Sequence, residues 1–394
     1  MKIKATKEQI EDLLTRGVNE VIDVGHLRKC LSSGKKLRIK LGIDPTSPNI
    51  HLGRAVTLLK LKDFQDLGHQ IIFIIGDFTG EIGDTSDKES ERPMLSEENI
   101  KENVKTYIKQ VGKILDVEKT EIYFNSKWLK KIGYTEIGSQ ANQFSLAEFI
   151  GRENIRKRLK LGKRVSLREL LYPLMQGYDS VVVKADLEVG GTDQRFNLLA
   201  GRTMQSYYKQ QSQDILMMNL ILGRDGRKMS SSWGNTINIF DEADDMFGKV
   251  MSISDELIIS YFEHCTRVPI EQIKKYMKQL NTDTVNPRNI KMKLAEEITI
   301  IYWGKVKAKK AKENFNLVFQ KKETPDKILE QKLANKNIID VLLESELVHS
   351  KGEARRLIEQ KGIRINEKTV VSIDRIVKNG DIIQKGKRYF LKIV

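Results

Sequence analysis

The chain has 394 residues, with 68 Lys plus Arg against 53 Asp plus Glu and a formal charge of +15. That length suits two or three domains with a sizeable core, and a basic excess over a globular chain points to a polyanionic partner, nucleic acid first. Only two cysteines, Cys30 and Cys265, occur, which argues against a disulfide framework and against a structural zinc site. Apolar runs such as Ile71 to Ile75 are too short to span a bilayer, and the N-terminus lacks the apolar core of a signal peptide, so a cytoplasmic protein is expected.

In chain order, the first 30 residues carry Ile10, Leu13, Leu14, Val18 and Val21 at helical spacing and predict a helix. Residues 37–44 alternate in short period, as a strand does, and lead into a Pro-rich loop. A helix is expected from Gly53 to Leu67, with Leu58, Leu61, Phe64 and Leu67 on one stripe and Gly68 as its stop. Gln70 to Gly76 reads as a buried strand. Strand, helix and strand so close together predict a βαβ unit and a parallel sheet. A second unit is expected where Ser180 to Ala185 reads as a strand, Gly190 and Gly191 as a turn, and Thr192 to Met204 as a helix.

Residues 238–320 read as helical and include the lysine-rich run Lys305 to Lys312, best explained as a solvated helix face. Residues 321–335 look like a linker. The last segment, 336–394, carries 13 basic and 8 acidic side chains and predicts two short helices, Ile338 to Glu344 and Lys351 to Gln360. Strands and turns follow, with Asn366-Glu367 and Asn379-Gly380 at turn positions. The expected division is therefore 1–237 (α/β, Rossmann-like), 238–320 (helical), 321–335 (linker) and 336–394 (small α+β).

Two strings carry chemistry. His51-Leu52-Gly53-Arg54 falls where the first strand hands over to its helix, and free N–H groups at a helix start suit phosphate. Alone, this string is equally compatible with an ordinary helix start. Lys228-Met229-Ser230-Ser231-Ser232 lies in the loop GRDGRKMSSSWGN, a mobile surface segment or a lid able to close over a triphosphate. A third pattern, Tyr172, Gln176 and Asp179, occupies i, i+4 and i+7 of one helical face and can enter one pocket, though alone it reads more readily as one amphipathic face of a surface helix.

Together, in this order, the strings resemble a class I aminoacyl-tRNA synthetase, and within that class the bacterial tyrosyl enzymes. The first is similar to the family's His-x-Gly-His element, the second to its Lys-Met-Ser-Lys-Ser loop. GIDPTSPNIHLG, GDFTGEIGDTSDKESERP, YPLMQGYDS and GGTDQRFN lie between them or nearby, and HSKGEARRLIEQKGIRIN resembles an S4 RNA-binding module. The resemblance implies that Asp179 binds the substrate phenol, that Tyr172 and Gln176 hold its α-ammonium, and that Asp84 pairs with the same ammonium. It implies that Gly42, Asp44 and Thr46 line the tyrosine and ATP sites, with Gln194 near the reacting carboxylate. ATP contacts are expected from His51, Gly53, Arg54, Asp193, Lys228 and Met229, Asp193 taking the ribose. Catalysis falls to His51, Arg54, Thr46, Lys228 and Ser230, while Lys88 and Arg92 would grip pyrophosphate.

Three positions depart from the family pattern. Arg54 replaces a second His, Ser231 replaces a second Lys, and Lys40 stands where many relatives carry a second phenol-binding Tyr. Arg54 can still donate to phosphate, with altered geometry; Ser231 leaves one transition-state charge missing unless Arg224, Arg227 or Lys228 compensates; Lys40 requires another partner for the phenol beside Asp179.

The implied reaction is activation of L-tyrosine by ATP, with Mg²⁺ on the phosphates and no zinc, then transfer to the terminal adenosine of tRNA(Tyr). The helical region and the C-terminal module would hold the tRNA, with phosphate contacts from Lys351, Arg355, Arg356 and Arg364. The resemblance also implies a homodimer, Gln140 to Ile150 lying at its interface, and no membrane partner. Two alternatives stay open: a synthetase for another amino acid such as tryptophan, and a non-catalytic RNA-binding paralogue.

Overall fold

A computed structural model describes residues 3–84, 95–282, 284–320, 329–348, 350–386 and 389–394. Lys88, Arg92 and residues 321–328 of the expected linker lie outside the described residues. Two compact units are present, one formed by 1–241 with 252–294, the other by 242–251 with 295–394.

The first unit begins with α1 (Lys7–Thr15), opened by a capping box in which Thr6 and Gln9 satisfy each other's backbone N–H. The helix expected over the first 30 residues is in fact three elements: α1, β1 (Val18–Ile22) and α2 (Val24–Ser32). Gly17, at φ +66°, turns the chain out of α1. Val18 and Val21 then join a sheet edge, whose ladder overrides their helical spacing.

β2 (Arg38–Ile43), α3 (Leu52–Asp66) and β3 (Gln70–Ile75) form the expected βαβ unit, with β2 and β3 parallel. Leu58, Leu61 and Phe64 of α3 are wholly buried, which is what its apolar stripe requires. There follow α4 (Asp77–Ile82), α5 (Glu97–Val111), β4 (Thr120–Phe124), α6 (Ser126–Leu129), α7 (Tyr134–Ala141), α8 (Leu146–Gly151) and α9 (Glu153–Lys160).

The second βαβ reading needs correction. Residues 180–183 end the long helix α10 (Leu167–Val183), and the strand is β5 (Leu187–Gly191), which contains both glycines expected to turn. The β-branched run at 181–183 looks like a strand, but it packs as a buried helix end, where Val181, Val183 and Ala185 are covered and Lys184 closes the helix in the left-handed region. A capping box between Ser166 and Glu169 starts this helix, and Glu169 is paired with the buried Arg158 guanidinium at 2.5 Å. Gly177 lets α10 approach α11 (Arg195–Tyr207), since a Cβ there would lie 3.0 Å from the Ala200 carbonyl oxygen.

β6 (Asp214–Met218) completes a six-stranded sheet in the order β1-β6-β5-β2-β3-β4. Five strands run parallel and β1 is antiparallel to β6. The order reverses at β2, which lies between β5 and β3, so a crevice opens past the carboxyl ends of these strands.

The helical region is α12 (Ala243–Met251), α13 (Ile258–Cys265), α14 (Ile270–Asn281) and α15 (Pro287–Gln320), the last broken at Gly304, φ 78°. Lys305, Lys307, Lys309 and Lys310 are exposed on α15, as expected of a solvated face. No helix among the described residues is long and apolar enough to cross a membrane.

The C-terminal part contains β7 (Leu329–Gln331), α16 (Ile338–Glu344), α17 (Lys351–Glu359), β8 (Ile363–Ile365), β9 (Lys368–Thr369), β10 (Ile382–Lys385) and β11 (Tyr389–Ile393), its sheet ordered β7-β11-β10-β8-β9. Asn366 and Glu367, at φ 47° and 66°, make the two-residue turn between β8 and β9. Ile338, Leu342, Ile358, Ile363, Ile383 and Leu391 give this part a core of its own.

Candidate active site

The crevice widens into a cavity of about 1170 Å³ walled by the ends of β2, β3 and β5, the start of α3, α10 and the loop after β6. Every expected catalytic, ATP-binding and tyrosine-binding residue from Gly42 to Ser230 that is described lines it, as do Thr79, Asn125, Glu188 and Ser231. Lys351, Arg355, Arg356 and Arg364 lie in the second unit, all exposed.

At the mouth, α3 starts at His51, whose carbonyl accepts the first helical bonds from Arg54 and Ala55. Leu52 N donates to Ile237 O at 2.8 Å, and Ile239 N donates to Ile50 O at 3.0 Å. The first string is therefore paired with the segment just beyond the second, and Gly53 N also points at Met229 Sδ, 3.3 Å away. A Cβ at position 53 would press on the His51 ring at 3.0 Å, so a larger residue would have to shift that ring. Burial pushes the His51 imidazole down to about 3, with the Arg54 and Lys228 charges acting the same way. His51 is thus neutral at physiological pH, with one N–H to offer.

Arg54 is held in place by its neighbours. Nη1 donates to Tyr107 Oη at 2.7 Å, and Nη2 donates to Thr46 Oγ1 at 3.1 Å. Tyr107 is wholly buried, so the guanidinium is anchored on the protein side while facing the cavity.

The Lys228 loop is organised by Asn235. Its Oδ1 accepts from Ser230 N at 2.9 Å, and its Nδ2 donates to Asp225 Oδ1 at 2.7 Å and to Lys228 O at 3.1 Å. Lys228 Nζ reaches Asp193 Oδ2 at 2.8 Å. Arg227 pairs with Asp225 at 2.5 Å and lies over the Trp233 ring. Neither Arg224 nor Arg227 lines the cavity, so the cation that faces it from this loop is Lys228.

On the inner wall, α10 presents Tyr172 and Asp179 in buried positions. Tyr172 Oη donates to Asp44 Oδ2 at 2.9 Å, and Thr79 Oγ1 donates to Asp44 Oδ1 at 2.7 Å. Asn125 Nδ2 donates to Thr79 Oγ1 at 2.9 Å and to Asp179 Oδ2 at 3.3 Å, while Trp128 Nε1 donates to Asp179 Oδ1 at 2.8 Å. Burial raises the Asp179 carboxyl to about 7, opposed by Lys40, Trp128 and Asn125. Burial and the Asp44 charge raise Tyr172 well above its ordinary value, so it remains a neutral donor. Gln194 Nε2 donates to Asp84 Oδ2 at 2.7 Å, and both line the cavity.

Lys40 does not enter the cavity. Its Nζ is buried 2.9 Å from Glu188 Oε1 and donates to Ser180 Oγ at 2.7 Å and to the Gln176 carbonyl at 2.9 Å. Glu188 Oε1 accepts in turn from Gln176 Nε2 at 3.1 Å. A buried pair with this many hydrogen bonds fixes the pocket floor. Sequence reasoning missed Trp128, Asn125, Thr79 and Glu188. Asn125 and Trp128 follow β4 and carry no motif; a polar residue just past the carboxyl end of a parallel strand was the available signal.

A family model described as tRNA synthetases class I (W and Y) matches residues 32–320, and one described as the tyrosine–tRNA ligase SYY-like C-terminal domain matches 317–392. The fold is that of class I tRNA synthetases. Similar proteins include tyrosine–tRNA ligase 2 of Clostridium acetobutylicum, 46% identical over 399 residues and 100% of each chain. Tyrosine–tRNA ligase of Thermotoga maritima is 44% identical over 392 residues, 98% of each chain. The chain belongs to the tyrosine–tRNA ligase family of class I synthetases. Among solved structures, tyrosyl-tRNA synthetase of Archaeoglobus fulgidus complexed with L-tyrosine has the same fold at a TM-score of 0.62 and 23% identity, covering 77% of this chain and 99% of that one. A C-terminally truncated mitochondrial tyrosyl-tRNA synthetase of Aspergillus nidulans has it at 0.66 and 22%, covering 80% and 95%.

Proposed function

We propose that the chain activates L-tyrosine with ATP and transfers the tyrosyl group to the 3′-terminal adenosine of tRNA(Tyr), in the cytoplasm and as a homodimer. The observation that carries the reading is the buried Asp179 carboxylate, held by Trp128 and Asn125 inside the cavity shared by both nucleotide strings. A phenol hydroxyl can donate to it. Phenylalanine would offer no donor to it and would cover it with apolar surface, leaving only the bonds from Trp128 and Asn125, which costs free energy that tyrosine does not incur.

In this reading the tyrosine carboxylate attacks the α-phosphorus of ATP in line and pyrophosphate leaves. A ribose hydroxyl of the tRNA then attacks the adenylate carbonyl, losing its proton as the acyl–phosphate bond breaks and AMP leaves. No side chain is a nucleophile; the residues align two reactants and balance charge on the phosphoryl oxygens. Asp179 takes the phenol, while Tyr172, Gln176 and Asp84 surround the ammonium. Gly42, Asp44 and Gln194 line the tyrosine site. His51 contributes a neutral N–H and Arg54 a fixed charge, steadied by Thr46. Gly53 and Met229 leave room for the nucleotide, and Asp193 takes the ribose. Lys228 and Ser230 act from the loop. Mg²⁺ enters with the ATP phosphates as part of the substrate.

For tRNA, residues 238–320 serve as the helical anticodon-binding part and 336–394 as the S4-like part, with Lys351, Arg355, Arg356 and Arg364 on phosphates. Exchange of pyrophosphate into ATP, measured with each of the twenty amino acids, tests the chemistry. Tyrosine alone should support exchange. Stimulation by tryptophan instead would make the chain a synthetase of different specificity, and no exchange from protein that still binds tRNA would make it an RNA-binding paralogue.

A further inference from the structure

Lys40 on β2 and Glu188 on β5 are direct partners in the parallel ladder, and both side chains are buried. They meet α10 at Gln176 and Ser180, where the Glu188 carboxylate accepts from four donors. Oε1 takes Lys40 Nζ at 2.9 Å and Gln176 Nε2 at 3.1 Å, and Oε2 takes Ser180 Oγ at 3.1 Å and Gln213 Nε2. A carboxylate has room for about four such bonds, so Glu188 lines the cavity with no lone pair left for a ligand. The three N–H groups of Lys40 are likewise taken, by Glu188, Ser180 Oγ and the Gln176 main-chain carbonyl.

We propose that the Lys40–Glu188 pair is a positioning device that holds the Gln176 side-chain amide with its carbonyl oxygen toward the cavity, and so selects a substrate carrying a charged amine. This rests on the tyrosine-activating reading above and adds to it the residues that make Gln176 an acceptor.

The argument for orientation is one of donors and acceptors. A side-chain amide can present either its NH₂ or its oxygen, but a carboxylate in an ion pair only accepts, so Nε2 must be the end that faces Glu188. Oε1 is then the end offered to the cavity, and among the described residues no protein donor reaches it. An ammonium group only donates and matches that oxygen; a keto or carboxylate oxygen in the same place would meet another acceptor. Stability alone does not account for the pair, because apolar residues of similar volume stabilise a core as well as a buried ion pair does. What they would not do is fix an amide. The same pair also holds the Gln176 backbone, through Lys40 Nζ at 2.9 Å from its carbonyl, so main chain and side chain of this residue are set together. The position that departs from the family pattern near the phenol therefore acts at the amine end of the substrate as well.

The test is tyrosine-dependent pyrophosphate exchange, inhibited competitively by 3-(4-hydroxyphenyl)propanoate, which keeps the phenol and carboxylate but has no amine. In the charge-balanced double variant Lys40→Met/Glu188→Met, KM for tyrosine should rise roughly tenfold or more while Ki of the amine-free analogue changes less than about twofold. The ratio of the two cancels any change at the phenol end, where Lys40 acts on Asp179. Combined with Gln176→Met, the same two substitutions should add little, since their effect passes through the amide. Glu188→Asp keeps the charge beside Lys40 but withdraws it from Gln176 by one methylene; it should move the ratio in the same direction, and it decides the matter where the double variant does not fold. Equal weakening of both ligands, an unchanged ratio in a folded variant, or a fully additive loss with Gln176→Met overturns the proposal. Parent protein that gives no exchange with tyrosine fails at an earlier step and overturns the functional reading itself.

Discussion

Lys228 and Asp193 form an ion pair at 2.8 Å, so the lysine of the loop rests on the carboxylate assigned to the ribose. In the proposed reaction ATP separates the two and frees Lys228 for the phosphates. Lys228→Ala should lower the rate of adenylate formation by roughly 10²–10³, with a much smaller effect on ATP affinity, because its charge is used mainly in the transition state. Single-turnover kinetics over a range of ATP concentrations separates the two quantities; equal losses in both would remove the transition-state role.

Trp128 donates to a carboxylate, a bond worth about 1.5–3 kcal/mol. Trp128→Phe keeps most of the packing and should reduce kcat/KM for tyrosine by roughly 10–100-fold. Phenylalanine activation should change far less, so discrimination narrows. An unchanged ratio of the two kcat/KM values would mean that the phenol is held away from Asp179.

Asp179, raised to about 7 by burial, makes tyrosine binding pH-dependent. The ionised carboxylate is the better acceptor, so KM for tyrosine should rise as pH falls through about 7. Lys40 holds this carboxyl down, and Lys40→Met should move the inflection to higher pH. For stability the sign is opposite to that of a salt-bridged carboxylate. Between the ordinary value of 3.8 and about 7 the folded group keeps a proton that the unfolded one has lost, so its contribution falls as pH rises across that window. His51, lowered to about 3, should add no inflection to KM for ATP near neutrality. A flat tyrosine KM from about pH 5.5 to 8 would contradict the assignment.

Gly76 closes β3 beside the pocket, and a Cβ there would fall on Asp44 Oδ1 and Thr79 Oγ1. Gly76→Ala should break the Asp44–Thr79 hydrogen bond and displace Tyr172. Activity should drop at least tenfold while circular dichroism at room temperature stays near that of the parent. Full activity would show that the Asp44 network is not needed.

The C-terminal part has its own core, so removing 336–394 should leave tyrosine-dependent pyrophosphate exchange intact and weaken tRNA charging. Within it, replacing Arg355 and Arg356 by Ala should reduce the salt dependence of tRNA binding by about one unit of log–log slope for each phosphate no longer neutralised. Loss of exchange on deletion would make this part structural.

Much of this arrangement was legible in the residues. The β2–α3–β3 unit was readable because apolar period, Gly stop and strand length agree there. Tyr172, Gln176 and Asp179 were readable as one face because helical spacing is rigid. The 180–185 segment was misread because three consecutive valines suit a strand as well as a buried helix end, and only packing against the sheet decides between them. Trp128 and Asn125 escaped because they reach Asp179 from about fifty residues away, and no local pattern encodes that approach. Lys40 was recognised as a departure, but its burial against Glu188 depends on which strand lies beside β2.

β1 pairs with β6 and covers a ladder that would otherwise be open along wholly buried residues such as Ile215, Leu216 and Met217. Strand β1 therefore shields this edge from pairing with another chain. A chain shortened past Ile22 would present a flat, apolar, unprotected edge and is expected to precipitate before any loss of affinity for its substrates could be measured.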